Sequence, residues 1–139
     1  RTDGQALAVN TFQGAFNVAK VRHDLQGMSF ASMSTARALS KSGAGSDKVC
    51  EQIGLGVKYG RELVDSERNR SEKRDVLEKG ALKYLFNVCI EAAELYVQNG
   101  MIDEAKECVS TAVEVGPNHS EAIRDIQSLI QQAQTNKHI

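Results

Sequence analysis

Chemistry in a protein needs nucleophiles, titratable groups and metal ligands in company, and this 139-residue chain keeps its few apart. Its histidines, His23, His119 and His138, form no H-x-x-x-H or H-x-x-E-H pair, the spacing that puts two imidazoles on one helix face for a metal. Its three cysteines, Cys50, Cys89 and Cys108, are odd in number, widely spaced and without a C-x-x-C pair. Such thiols fit a reducing compartment. The glycosylation sequons Asn69-Arg-Ser71 and Asn118-His-Ser120 point the other way, to a secreted form. The stretch Gly54-Leu-Gly-Val-Lys-Tyr-Gly60 is glycine-rich, but it lacks G-K-[ST] and a preceding strand, so it does not read as a phosphate loop. No nucleophile elbow is present. The expectation is a protein that is not an enzyme and that takes no metal or cofactor.

Composition limits the partners as well. Seventeen basic residues against 18 acidic leave a net charge near −1, without the basic footprint of a nucleic-acid binder or of a protein drawn to anionic lipid. No run of about 18 apolar residues exists to span a bilayer. The chain opens on Arg1 rather than Met, as a processed or excised piece would.

The elements that would position any site are helical. There is one proline, Pro117, in the whole chain, where average usage would give roughly seven, so long helices go unbroken. With 5% aromatic residues and no Trp, the core must come from Ala, Leu, Val and Ile, which suits close helix packing. A capping-box pattern, Thr2 with Gln5, opens a first helix whose stripe is Ala8, Thr11, Phe12, Ala15, Phe16 and Ala19. The spacing carries it to about Gln26, with Gly27 as its stop. A second helix follows with Phe30, Met33, Ala36 and Leu39 on one face and Ser and Ala elsewhere. Lys41-Ser-Gly-Ala-Gly-Ser46 is the clearest linker, giving an N-terminal helical pair at 1–45 and a second unit at 46–139. Ser46 is the expected N-cap of a helix striped by Val49, Cys50, Ile53, Val57 and Val64. Gly54, Gly56 and Gly60 interrupt that stripe at about 1 kcal/mol each relative to Ala, which demands either tight contacts or an irregular helix. Residues 65–75, DSERNRSEKRD, hold no apolar residue and place a solvated break near 69–71. Two readings stand for 46–99, one rod or two helices. The stripe resumes with Val76, Leu77, Ala81, Tyr84, Leu85, Val88, Ala92, Leu95 and Tyr96, and stops at Asn99-Gly100.

Counted from Phe86, the residues Ala93, Tyr96, Gly100, Ala105, Val109, Ala112 and Pro117 fall on the signature positions of a helix–turn–helix unit of about 34 residues. In these residues the segment 86–119 resembles a tetratricopeptide repeat. The turn Asn-Gly-Met-Ile-Asp-Glu-Ala and the exit Ala-Val-Glu-Val-Gly-Pro-Asn-His resemble the family's turn and exit. The resemblance implies that Ala93 and Ala105 stand where two helices cross, that Tyr96 and Val109 fill the space to the neighbouring hairpin, and that Gly100 allows a left-handed turn. Asp103 and Glu104 belong to the first turn of the second helix, where anions are favoured. Cys89 and Ala92 replace the larger residues usual at their positions, and Cys89 and Cys108, on the two helices of one hairpin, read as core thiols. The segment 120–135, with Ile123, Ile126, Leu129 and Ile130 as its stripe, resembles the capping helix of such arrays, and the tail from Gln134 is expected to fray. Sliding back 34 residues finds no second copy, and a lone repeat cannot bury its own face.

The expected fold is therefore all-α: antiparallel helical hairpins in a tetratricopeptide-like superhelical array of about six helices. The function that the resemblance implies is a scaffold or adaptor binding a peptide or partner helix. Its candidate concave face is Asn87, Ile90, Glu94, Val97 and Gln98, without the Lys and Asn of a carboxylate clamp. The alternative is a structural protein that assembles head-to-tail through open repeat faces.

Overall fold

A computed structural model describes residues 2–70, 72 and 74–137, together with all of their side chains except those of Thr2, Asp3, Gln5 and Lys137. The proposed Thr2–Gln5 capping box, Ser71 of the first sequon and His138 thus lie outside what is described. The described residues form six helices and no strand: α1 Thr2–Val21, α2 Leu25–Lys41, α3 Ser46–Arg68, α4 Asp75–Gln98, α5 Ile102–Val115 and α6 Ser120–Lys137. The stretch 46–99 is two helices, parted where the apolar stripe lapses. No helix among the described residues is long and apolar enough to cross a membrane.

Several boundaries differ from the periodicity reading, each for a local reason. The first helix ends at Val21, not Gln26. His23 takes φ 56°, and the Asp24 carboxylate accepts from the Gly27 N–H at 2.9 Å, so Asp24 caps α2. Gly27 is not a stop but part of the first turn of α2. A Cβ there would come within 2.5 Å of the Asp24 carboxylate and 3.0 Å of the Ala19 Cβ. Gly45, not Ser46, is the N-cap of α3. The tail from Gln134 continues as helix to Lys137. Phe30, expected on the buried face of α2, is 57% exposed.

Each helix packs on the next, and α4 also touches both α2 and α6. The backbones of α1 and α3, and of α3 and α5, stay more than 8 Å apart. The even-numbered helices thus form one layer and the odd-numbered helices the other. The core runs between the layers through Met33 and Ala36, Val49 and Ile53, Leu85 and Cys89, Ala105 and Val109, to Ile123, Ile126 and Ile130.

α2 and α3 share the most extensive helix–helix contact. Apart from Met33, the residues of α2 that are buried in mid-helix are small, Ser29, Ala31, Ser32, Ser34, Thr35 and Ala36. A Cβ on Gly56 would meet the Met33 Sδ at 2.5 Å, and one on Gly60 would meet Leu85 at 3.2 Å. The hydroxyl of Ser29 donates to the Gly56 carbonyl at 2.7 Å and accepts from the Tyr84 hydroxyl at 2.9 Å, tying α2, α3 and α4 together. Tight contacts therefore offset the helical cost of Gly56 and Gly60. Gly54 is exposed, and a Cβ there would meet nothing within 4 Å.

That contrast is testable by thermal unfolding. Gly54→Ala should stabilise the chain by about 1 kcal/mol, from helix propensity alone, and raise Tm by a few degrees. Gly56→Val should cost roughly 2–3 kcal/mol through overpacking against Met33. Equal effects at the two positions would refute this account of the crossing.

Candidate docking groove

The hairpin α4–α5 carries the residues that resemble the repeat. Ala93, Ala105 and Ala112 are fully buried, Tyr96 and Val109 are buried, and Gly100 turns at φ 75°. Asp103 and Glu104 stand in the first turn of α5. Pro117 is exposed, just beyond the Gly116 C-cap of α5. A Cβ on Gly116 would meet the Phe86 ring at 2.5 Å, and that ring stacks on His119 with centroids 4.6 Å apart.

The hairpin α2–α3 resembles this arrangement, with a loop one residue longer, 42–45 against 99–101, so that α3 is matched to α5 one place out of step with α2 and α4. Gly43 turns at φ 76° where Gly100 turns at 75°. At the first turn, Ser42, Gly43 and Ala44 donate to Ala38, Ser40 and Leu39; at the second, Asn99, Gly100 and Met101 donate to Leu95, Val97 and Tyr96. The two C-termini share one Schellman pattern with the same spacing. Ala36 stands where Ala93 does, Val49 where Ala105 does, Ile53 where Val109 does, and all six are buried. Gly56 takes the place of Ala112. Gly60 lies against Ser29 as Gly116 lies against Phe86, with a Cβ 3.7 Å from the Ser29 hydroxyl.

Two equivalent hairpins set α2 and α4 side by side in one layer. Between their C-terminal halves runs a groove of about 160 Å³, lined by Arg37, Ser40 and Lys41 from α2 and by Glu91, Glu94, Leu95 and Gln98 from α4. Arg37 pairs with Glu91 across the two helices and also donates to the Ser34 hydroxyl at 3.0 Å. One rim is thus basic and the other acidic, over a Leu95 floor. Of the five residues that sequence placed on a concave face, Glu94 and Gln98 line this groove and are exposed. Asn87 is exposed outside the lining, and Ile90 and Val97 are half-buried against the core. The α2 rim escaped sequence reasoning. Its signal was Arg37, the first charged residue after Asp24.

A larger hollow, about 270 Å³, lies between α1 and α3 over Thr35, walled by Gln13, Phe16, Asn17, Gln52 and Leu55. Its walls carry no charge, and the Thr35 hydroxyl is already committed to the Ala31 carbonyl at 2.8 Å. It offers less for specific recognition than the α2–α4 groove.

All three cysteines are free, Cys89 and Cys108 buried and Cys50 half-buried. Burial pushes the Cys89 thiol up to about 12 and the Cys108 thiol to about 11. It also raises Cys50, with help from Glu104 and Asp47. These are the reverse of the shifts that activate a nucleophile. Among the described residues, no three His, Cys, Asp or Glu side chains are grouped to hold a metal ion. No protein-family profile, curated protein or solved structure matches the chain.

The raised thiols predict an alkaline limit to stability. A thiol that holds its proton more tightly when folded contributes fully below its ordinary value of 9.0. That contribution is lost as pH rises through the folded value, because the unfolded chain then releases protons that the folded chain keeps. Denaturant unfolding should therefore show stability falling from about pH 9 upward, by roughly 1–3 kcal/mol per pH unit for the two thiols together. Cys89→Ala with Cys108→Ala should flatten that slope. An unchanged slope in the double variant would show that other groups cause it.

Proposed function

We propose that the chain is a non-enzymatic interaction module of tetratricopeptide type, and that the α2–α4 groove holds a short peptide or a partner helix. The observation that carries this reading is the duplicated hairpin. Two hairpins with the same turn and the same small-residue crossings, followed by α6 against α4 and α5, make an array in which equivalent helices stand in one row. Stacked hairpins present such a row as a continuous binding surface. The superhelical reading rests on the same feature, since every second helix approaches by its backbone on the even-numbered side, whereas the odd-numbered helices meet only through side chains such as Arg61 and Thr111.

The chemistry of the groove suggests its ligand. Arg37 and Glu91 are paired with each other, so Lys41 on one rim and Glu94 on the other favour a peptide that carries both charges, with an apolar residue between them to cover Leu95. Opposed rims of this kind set orientation and exclude wrong partners more than they add affinity.

A random-peptide display selection against the whole chain tests the proposal. Enriched peptides should hold an acidic and a basic residue flanking an apolar one. Glu94→Arg should weaken them about tenfold, the loss of one rim charge pair at about 1.4 kcal/mol. Glu107→Arg, on the exposed side of α5 in the other layer, should leave binding unchanged. No enrichment, or equal tolerance of both changes, would remove the groove as the site.

A further inference from the structure

Phe30 is a large apolar side chain that α2 leaves 57% exposed, and it belongs to the face that forms the α2–α4 groove. Seven and eleven residues on from it, Arg37 and Lys41 come round to within about 20° of its direction, and both line the groove. Two cross-links set the level of α4 against this face. Beside Phe30, the Tyr84 hydroxyl donates to the Ser29 hydroxyl at 2.9 Å. Two turns further along α2, Arg37 pairs with Glu91. The linked residues are 55 and 54 apart in sequence, so α2 and α4 run parallel and in step. At that offset Leu95 lies level with residues 40–41 of α2. From Phe30 to the Leu95 floor the face is therefore about 16 Å long, at 1.5 Å of rise per residue.

We propose that the occupant of the groove is a partner helix of about three turns, with one apolar residue over Leu95 and a second, about eleven residues away, against Phe30. This rests on the α2–α4 groove as the binding site, commits it to a helix over an extended peptide, and makes Phe30 the second anchor. Backbone bonding favours the helix. An extended chain lays down N–H and C=O groups that need partners. The described residues offer no sheet edge to pair with them, and Ser40 and Gln98 are the uncharged hydrogen-bonding side chains in the groove lining. A helix brings its backbone bonds already made and presents side chains alone. Charge fits the same occupant. Arg37 and Glu91 satisfy each other between the two anchors, so they ask for no charge there. Lys41 and Glu94 hold an acid and a base of the partner on either side of the residue over Leu95. Around Phe30 the α2 rim is neutral, with no charge between Asp24 and Arg37. The second anchor of the partner is therefore apolar or aromatic, and ring against ring adds to the area that it buries. An extended peptide would cover the same 16 Å in about five residues, so anchor spacing tells the two occupants apart.

The test is a displayed library of random peptides of about 20 residues, long enough for three helical turns and their flanks, selected on the whole chain. Synthetic copies of the enriched sequences are then measured one by one. They should carry apolar residues about eleven apart and gain helical circular dichroism on binding. Phe30→Ala should weaken them at least about tenfold, as loss of an interface anchor does. Val113→Ala, at an exposed apolar residue of α5 in the other layer, should leave them unchanged. A proline placed in the peptide midway between its anchors should cost about a hundredfold, and that change leaves the fold of the protein untouched. Binders that need Glu94 yet tolerate the proline, or that ignore Phe30→Ala, would overturn the helix and leave the groove standing as a site for extended peptides. No enrichment at all would remove both. If Phe30→Ala loses its helical signal, the proline substitution and the anchor spacing decide.

Discussion

The close crossing of α2 and α3 is the constraint from which the rest of this fold follows. Two helices approach this nearly only where side chains vanish, and here Gly56 and Gly60 of α3 face the Ser- and Ala-rich surface of α2. Close approach buries the Ser29 hydroxyl, and burying a hydroxyl costs free energy that a hydrogen bond offsets. Gly56 supplies its acceptor and Tyr84 a donor from α4. One small polar residue therefore fixes how deep α3 sits and where α4 begins to pack. The Met33 side chain fills the space that a Cβ on Gly56 would have occupied, turning a costly helix residue into a packing feature.

How much of this was legible in the sequence depends on length. Helical class, a solvated break near 69–71 and the stop at Asn99-Gly100 could be read from residue spacing, with one rod or two left open for 46–99; the buried Ala93, Ala105 and Ala112 came with the resemblance. The second hairpin could not, because its helices differ in length. α3 has 23 residues where α5 has 14, so the copies do not recur at a 34-residue period. Side-chain types differ too, Gly56 against Ala112 and Ser29 against Phe86. The likeness of the two hairpins lies in turn hydrogen bonds and two positive φ angles, and neither is visible in a list of residues.

The groove was half legible for a related reason. Glu94 and Gln98 belong to the helix that resembles the repeat, so the resemblance reached them. Arg37, Ser40 and Lys41 belong to the drifted copy, where nothing in the residue types marks an inner face. Phe30 was misplaced by the same limit. Periodicity assigns an apolar residue to a buried stripe, whereas α2 is enclosed chiefly by its small residues and leaves Phe30 in solvent. The end of α1 was lost to a non-glycine in the left-handed region. His23 performs there the turn that Gly43 and Gly100 perform at α2 and α4. A histidine gives no advance notice of that role.

Charge is spread unevenly along the chain, and the unevenness follows the layers. Helices α3 to α6 are amphipathic in the ordinary way, with acids and bases outside and alanine, thiol and branched residues inside. Helix α1 and most of α2 are nearly neutral. For α2 the reason is burial among α1, α3 and α4. For α1 burial is no reason, since it packs on α2 and, through Phe16 against Tyr59, on α3, yet leaves Leu7, Val18 and Val21 in water. Propensity does not account for it either, because Gly4 and Gly14 are poor helix formers that touch nothing. Surface glycines that make no contact within the chain leave this flank open, the converse of Gly56, where Met33 fills the place of the missing side chain.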